Sequence, residues 1–419
     1  MHSKKLLSLF TALILVFQCA VMTAGASSAD GNTAASVAYG VETYVNPFYK
    51  DLKPGIFSSG EGGSGFQLLT EADSTDVPVC DTVEEAVTAL REGLQARVDV
   101  ITVKTTVDVG DTLKDTDETP LENLFTAACE HNPNYPTAGD YIWFTFGEWK
   151  GSWGRAQDDD TLIYYDTLIY YMEYYPTAAQ EEELDALVAD VVKDWVDTDM
   201  TDYQIVRAIY DYITENVAYD TEGLNAYNAA VSSDTLKQEH CLIFTAYNAL
   251  KEGKAVCQGY ANLFYRLALE MGIDARIIAS TDAENHAWNI VKLDGKYYNV
   301  DATWDAGNTD TGYEWFLLND EEFTKKQHTR REEFDTDEYR EQFPVGEESY
   351  AVKGDVNRDD KVDYVDLLLL RGIFAGYINT YNTMAADIDS SSTVTRKDVM
   401  ILARYLAGWT SETIVGYFQ

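Results

Sequence analysis

Apolar residues recur along this chain at helical and strand spacing, and each rhythm predicts elements. Threonines followed three residues later by Glu or Gln, the N-terminal capping signature, stand at Thr82/Glu85, Thr177/Gln180 and Thr201/Gln204. They predict helices over 86–96, from 178 to about 196, and ahead of the stripe Ile205, Ile209, Ile213, Val217. Another amphipathic run, 261–271, places Leu263, Phe264, Leu267 and Met271 at helical spacing, with Gly272 as C-cap. Residues 98–107 read as a strand, and the tyrosine-rich stretch 162–171 favours β structure until Pro176 ends it. Runs 288–293 and 296–300 flank Asp294-Gly295, a type I′ turn pair, and predict a hairpin. Residues 37–49 form a further candidate extended segment.

The reactive residues fall at the ends of these elements. Cys257 precedes the 261–271 stripe and so sits at a helix N-terminus. Unpaired N–H groups and the macrodipole there favour a thiolate and offer an oxyanion site. A two-residue turn makes Leu293 face Lys296; continuing the count, Trp288 faces Asp301 and His286 faces Thr303. His286 and Asp301 then share one face as diagonal neighbours, roughly 7–8 Å apart at Cα. A thiol, an imidazole and a carboxylate in this order are the parts of an activated nucleophile.

These residues lie in Thr245-Ala-Tyr-Asn-Ala-Leu-Lys-Glu-Gly-Lys-Ala-Val-Cys257-Gln-Gly-Tyr-Ala, His286-Ala-Trp-Asn and Val300-Asp-Ala-Thr-Trp-Asp305. Residues 200–320 thereby resemble a bacterial transglutaminase-like domain. The resemblance implies an α+β fold with a papain-like core, a helix bearing Cys257 packed on an antiparallel sheet bearing His286 and Asp301. It implies acyl transfer through a thioester on a protein or peptide substrate, without a catalytic cofactor. The acceptor is left open; hydrolysis is preferred to transamidation because no second amine pocket is evident. Tyr247 and Trp288 are candidates for the family's side-chain oxyanion donor, but ordinary core packing is the preferred reading of both. The rival reading is a non-catalytic module whose groove holds protein or glycan.

Residues 354–377 and 386–409 repeat at an offset of 32, each an acidic loop before an apolar helix. In the first loop Asp355, Asn357, Asp359, Asp363 and Asp366 place oxygens at positions 1, 3, 5, 9 and 12 of a calcium loop, with Lys361 supplying a carbonyl at position 7. The second loop offers Asp387, Asp389, Ser391, Thr393 through its carbonyl, Thr395 and Asp398. Fewer carboxylates there, and Ser392 rather than Gly at position 6, predict weaker calcium binding. The pair is similar to a type I dockerin, which implies two calcium ions, a small all-α fold, and docking to a cohesin module of a scaffoldin in a cellulosome-type, polysaccharide-degrading complex. Positions 10 and 11 differ between copies, Tyr364-Val365 against Arg396-Lys397, so a symmetric two-way docking mode is not expected.

Composition adds location. Lys4 and Lys5, the apolar stretch 6–21 and Ala24-Gly-Ala26 read as a signal peptide, hence secretion to the exterior or a cell-surface scaffold. A net charge of −40, from 31 basic and 71 acidic residues, argues against nucleic acid and anionic membranes as partners. Removing the signal leaves Cys80, Cys129, Cys241 and Cys257; with Cys257 free, three remain and cannot all pair. Trp143, Trp149, Trp153 and the tyrosines of 164–175 tempt a sugar-stacking reading, but packing of strands on helices is preferred. The expected organisation is a signal peptide at 1–26, an N-terminal segment with a Gly/Ser-rich loop at 27–77, a separate α+β unit at 78–198, the transglutaminase-like domain at 199–334, an acidic linker at 335–349 and the dockerin at 350–412.

Overall fold

A computed structural model of the chain describes residues 37–46, 77–109, 113, 119–157, 163–197, 199–280, 285–307, 313–359 and 361–418. The expected signal peptide and the Gly/Ser-rich loop at 58–65 lie outside the described residues. Strands β1 (Val37–Val45) and β2 (Val79–Cys80) precede helix α1 (Val83–Gln95) and strand β3 (Val100–Thr105). Helices α2 (Pro120–Ala128) and α3 (Asp140–Trp143) lead into the long strands β4 (Phe146–Gln157) and β5 (Tyr164–Tyr174). These strands form one sheet in the order β1-β4-β5-β3-β2, antiparallel except for β2 against β3.

The sheet is covered by side chains from the tyrosine-rich strand itself. Alternate residues Leu168, Tyr170, Met172 and Tyr174 are buried, as the period of two requires. Phe125 of α2 packs on Trp143, Phe146, Trp149 and Tyr170 with ring centroids 5.3–6.2 Å apart. Trp143, Trp149 and Tyr170 are core, as the packing reading expects, whereas Tyr164 is 57 % exposed.

Helices α4 (Ala178–Trp195) and α5 (Asp202–Asn216) start at Thr177 and Thr201, and both caps are reciprocal boxes with Gln180 and Gln204. Thr82 makes only half of one: its hydroxyl accepts from the Glu85 amide, while the Glu85 carboxylate reaches the Asp81 amide. Strand β6 (Ala218–Tyr219), helices α6 (Thr221–Ser233), α7 (Gln238–Cys241) and α8 (Ala246–Lys251), and strand β7 (Lys254–Ala255) follow. Helix α9 (Cys257–Glu270) then packs on an antiparallel sheet in the order β10-β9-β8, where β8 is Ala275–Ala279, β9 is Ala287–Leu293 and β10 is Lys296–Val300. Among the described residues no helix is long and apolar enough to cross a membrane.

Two expected boundaries do not match the packing. The stretch 78–198 is not a separate unit, because one continuous core contains Leu90, Leu124 and Trp149 together with Leu263, Ile277 and Trp288. A buried ion pair spans the two parts: Arg276 on β8 donates from Nε and Nη2 to Asp140 on α3 at 2.7 and 2.8 Å, and the Ile277 amide adds a third bond at 2.8 Å. Nor does 335–349 behave as a linker. Its acidic residues face outward from helix α11 (Asp337–Gln342), while Tyr339 and Phe343 are buried and lie under the Arg276 guanidinium, 5.4 and 4.2 Å from it. Pro344 and Gly346 then hydrogen-bond to Tyr297 on β10.

The repeat forms α12 (Tyr364–Phe374), α13 (Thr383–Ala386), α14 (Arg396–Leu406) and α15 (Glu412–Val415) around its own core of Leu367, Leu370, Ile388, Ile401 and Leu402. Its edge is anchored on the larger body. The Tyr350 ring stacks on Tyr203 at 5.6 Å, Asn382 donates to the Ser349 carbonyl at 2.6 Å, and Met384 packs against the main core.

Removing one partner of a buried ion pair leaves the other charge uncompensated, at about 3–5 kcal/mol. Asp140→Ala is therefore expected to lower stability by that amount in denaturant titration. Residues 77–344 should still unfold in one transition; two resolved transitions in the wild type would contradict the shared core.

Candidate active site

Cys257 is the first residue of α9, with extended Val256 as its N-cap. The chain reaches it along β7, which pairs in parallel with β6, and the Val256 amide then bonds the Ile243 carbonyl at 3.0 Å. Gly259 allows this start: an added Cβ would lie 2.7 Å from Ala255 Cβ and 2.8 Å from the Ile243 carbonyl oxygen. The helix is not amphipathic, as expected from the stripe, but buried all round, from Gln258 to Leu269. Its polar residues are tied to neighbours. Gln258 donates to the Phe144 carbonyl, Asn262 to the Phe244 carbonyl and the Tyr260 hydroxyl to the Val217 carbonyl, at 2.6–2.8 Å.

His286 and Asp301 bracket the hairpin. Its register is the expected one, Leu293 opposite Lys296 and Asn289 opposite Val300. Asp294 and Gly295 both have positive φ, 50° and 80°, as a type I′ turn demands. Asn289 on β9 fixes the sheet to the helix by donating to the Ala261 carbonyl at 3.0 Å.

The structure brings the three expected residues together. His286 Nε2 lies 2.6 Å from Asp301 Oδ2, which leaves Nδ1 as the ring nitrogen that can serve the Cys257 thiol. The thiol also lies 3.9 Å from the Asn285 carbonyl oxygen. Asp301 is 1 % exposed, and its Oδ1 accepts the Thr303 and Trp304 amides at 3.0 and 3.4 Å. Burial disfavours the imidazolium, but the Asp301 carboxylate and then Cys257 hold His286 well above its usual pKa. Burial likewise pushes Asp301 up, yet His286 and then His328 pull it down to about 2.

His328 was not anticipated. Its Nε2 lies 2.7 Å from the same Asp301 Oδ2, and its ring is enclosed by Trp315, Phe323, Trp288 and Trp304. Phe323 and Trp315 arrive on helix α10 (Asp320–Lys325) and the loop before it. The chain holds only five histidines, and that scarcity was the available signal. Ligand-capable atoms of His286, Asp301 and His328 lie within 4.8 Å of one another. Separations of 2.6 and 2.7 Å are those of hydrogen bonds, so the trio is a hydrogen-bonded relay through one oxygen.

Asp305, quoted in the motif without a role, is fully buried. Its Oδ2 lies 2.7 Å from the Tyr210 hydroxyl and accepts the Trp315 amide at 2.9 Å, which ties α5 to the loop beside Asp301. Both candidate oxyanion donors are committed to other partners. The Tyr247 hydroxyl donates to Glu183 at 2.7 Å, and Trp288 Nε1 donates to Asn299 at 3.1 Å. Cys80, Cys129 and Cys241 are buried free thiols, and Cys257 is free and partly exposed.

In the C-terminal loops Asp355, Asp366, Asp387 and Asp398 are buried. Asp366 is fully buried and accepts the Val356, Asn357 and Asp363 amides; Asp355 and Asn357 both accept from the Asp359 amide, Asp359 from Lys361 and Asp363 from Val365. In the second loop Asp387, Asp389 and Asp398 bring carboxylate oxygens within 4.8 Å of one another. Ser391 donates to the Thr393 carbonyl, and Thr395 to Asp398. A convergent set of carboxylate, amide and carbonyl oxygens suits a hard cation such as calcium. Two features disfavour the second loop: Ser392 holds φ +69°, and Lys397 Nζ sits 2.7 Å from Asp389 Oδ2.

Comparison with known proteins gives two family matches. Residues 189–302 match the transglutaminase-like superfamily, and residues 353–407 the dockerin type I domain. The chain thus carries a transglutaminase-like core and a type I dockerin. A 141-residue segment is 30 % identical to human kyphoscoliosis peptidase and a 135-residue segment 30 % identical to the mouse protein. These segments make up 30 % and 29 % of this chain but 19 % of each relative, so the match spans about a fifth of their length. A TGase crystal structure is 15 % identical over 60 % of this chain and 58 % of its own, with TM-score 0.27. A candidate cysteine protease of Cytophaga hutchinsonii is 18 % identical over 33 % and 52 %, with TM-score 0.22.

Lys397 places a cation against a second-loop oxygen, and exposed pairs of this kind are weak. Lys397→Met is expected to tighten calcium binding at that loop about two- to fivefold and leave the first loop unchanged. Calorimetric titration of the full chain reads both sites; an unaltered second site would remove Lys397 as a competitor.

Proposed function

We propose that the protein is a secreted cysteine-dependent acyl transferase or hydrolase, acting on peptide or side-chain amides and docked to a cellulosome-type scaffold. The observation carrying this reading is the 2.6 Å hydrogen bond of His286 to Asp301, with the Cys257 thiol 3.9 Å from the carbonyl of Asn285, the residue before His286. His286 takes the thiol proton, and Cys257 Sγ attacks the amide carbon. The oxyanion forms beside the amides at the start of α9, where the helix dipole favours it. His286 returns the proton to the leaving amine as the C–N bond breaks, giving a thioester. Water, deprotonated by His286, then releases the acid and regenerates the thiol. Asp301 remains ionised and holds the ring. Hydrolysis is preferred because, unlike transamidation, it requires no second amine pocket.

In the C-terminal module, Asp355, Asn357, Asp359, Asp363 and Asp366, with the Lys361 carbonyl, would hold one calcium ion. Asp387, Asp389, Ser391, Thr395 and Asp398, with the Thr393 carbonyl, would hold the other. Calcium supplies the positive charge these carboxylates face. The cohesin-facing surface is assigned to the first copy, where Tyr364 and Leu368 are each 68 % exposed. The corresponding edge of the second copy carries Arg396, Lys397 and Arg404.

Loss of a nucleophile removes the covalent route entirely. Cys257→Ala is expected to reduce casein hydrolysis or amine incorporation by about 10³-fold or more, and undiminished turnover would place the chemistry elsewhere. Chelation tests the metal assignment. Removing calcium should melt residues 350–412 in hydrogen exchange while α9 and its sheet stay protected; a module unaffected by chelator would refute it.

A further inference from the structure

The cluster holds one more histidine than a Cys-His-Asp relay uses. Asp301 Oδ2 receives two imidazoles, His286 at 2.6 Å and His328 at 2.7 Å, with ring planes 87° apart. A carboxylate oxygen has two in-plane lone pairs, and two donors saturate it. With the Thr303 and Trp304 amides on Oδ1, the whole carboxylate is engaged and its rotation is fixed.

We infer that His328 is a positioning residue for acyl transfer, holding Asp301 ionised and aligned through the oxygen it shares with His286. This inference rests on the reading of Cys257 as nucleophile. Its physical basis is the burial of Asp301, which favours a neutral carboxyl group. A carboxyl so buried, with one donor removed, gains proton affinity. It then competes with His286 for the proton that makes the imidazolium, and the thiolate loses its counter-ion. The groups facing Asp301 are His286, His328, Tyr210, Tyr260 and Asp305. Asp305 is itself acidic and opposes ionisation of Asp301. Tyr210 and Tyr260 are held above their usual pKa by burial. Besides His286, His328 is therefore the side chain that favours the carboxylate.

The ring is placed for this task. Trp315 and Phe323 lie 4.4 and 4.6 Å from it, centroid to centroid, and Trp288 lies at 5.2 Å. The Lys326 carbonyl stands 3.4 Å from Nδ1. An imidazole enclosed by aromatic faces cannot swing off Oδ2 without opening a cavity.

Two substitutions separate donation from packing. His328→Phe fills the aromatic box but donates nothing; His328→Gln donates from a position near Nε2 but fills the box poorly. The readout is the second-order rate of Cys257 alkylation by iodoacetamide from pH 4 to 9, with thermal unfolding alongside. Wild type should alkylate rapidly down to mildly acidic pH. In His328→Phe the acid limb should move up by about one unit, a tenfold loss on that limb, with the melting temperature retained. His328→Gln should stay within about threefold of wild type. A purely structural role predicts the opposite order, with Phe tolerated and Gln impaired, and that result overturns the inference. So does a folded Phe variant with an unmoved limb. If Phe does not fold, Gln decides: an unmoved limb upholds the inference and a displaced one overturns it. A wild-type profile like that of an ordinary thiol would instead sink the nucleophile reading, and this inference with it.

Discussion

A negative charge removed from water has to be met from every direction, and Asp301 is where this chain meets that demand. The carboxylate is 1 % exposed, and an isolated ion in such a place would take a proton instead of staying charged. Two ring N–H groups and two backbone amides prevent this. The four donors come from three stretches: the residue before β9, the turn after β10, and the segment beyond α10. The site thus requires those stretches to converge, and much of the neighbouring packing makes them do so. Asp305 and Tyr210 lock the 301–305 loop to α5, and the Asp301 amide bonds the Trp315 carbonyl at 3.0 Å. Asn299 accepts from Trp288 and donates to Asp320, which anchors α10.

The same logic governs the helix that presents the thiol. A helix buried on all sides needs partners for its polar groups, and α9 finds several of them in residues 78–198. Gln258 and Asn262 both donate to the Phe144 carbonyl, and Arg266 pairs with Asp185 on α4. With the Arg276–Asp140 pair, these contacts make the N-terminal sheet part of the frame holding Cys257. Such buried polar contacts add little net stability over apolar packing. They fix orientation, because a displaced helix would strand them.

Local rules reached far into this structure. Asp294-Gly295 dictated the hairpin register, and through it the shared face of His286 and Asp301, because a period of two allows no slip. Thr177 and Thr201 marked their helices because capping depends on residues three apart. Failures arose where distant packing overrode local composition. Residues 335–349 looked like a linker because acidic residues dominate, yet Tyr339 and Phe343 suffice to bind the segment beneath Arg276. The stretch 78–198 looked independent because a shared core leaves no mark in either sequence. His328 stands 27 residues beyond Asp301 with no periodic relation to it, and only folding places it on Oδ2.

The anchoring of the C-terminal module bears on how the proposed docking would hold the proposed catalytic unit. A free tether lets an enzyme sample many orientations on its scaffold, at an entropy cost to any fixed pose. Here that freedom is already removed at the first residues of the module. Tyr350 stacks on Tyr203 and meets Tyr298 edge-on, its amide bonds the Leu317 carbonyl, and Ser349 bridges the Asn319 amide and Glu322. Glu322 lies on α10 next to Phe323, one of the rings enclosing His328. The first acidic loop approaches the same carboxylate through Arg358 at 3.8 Å. The segment that ends the catalytic body and the loop that begins the docking module therefore share one acidic side chain. A partner bound on the module would hold the cleft at a set angle, because the joint between them is packed aromatic surface.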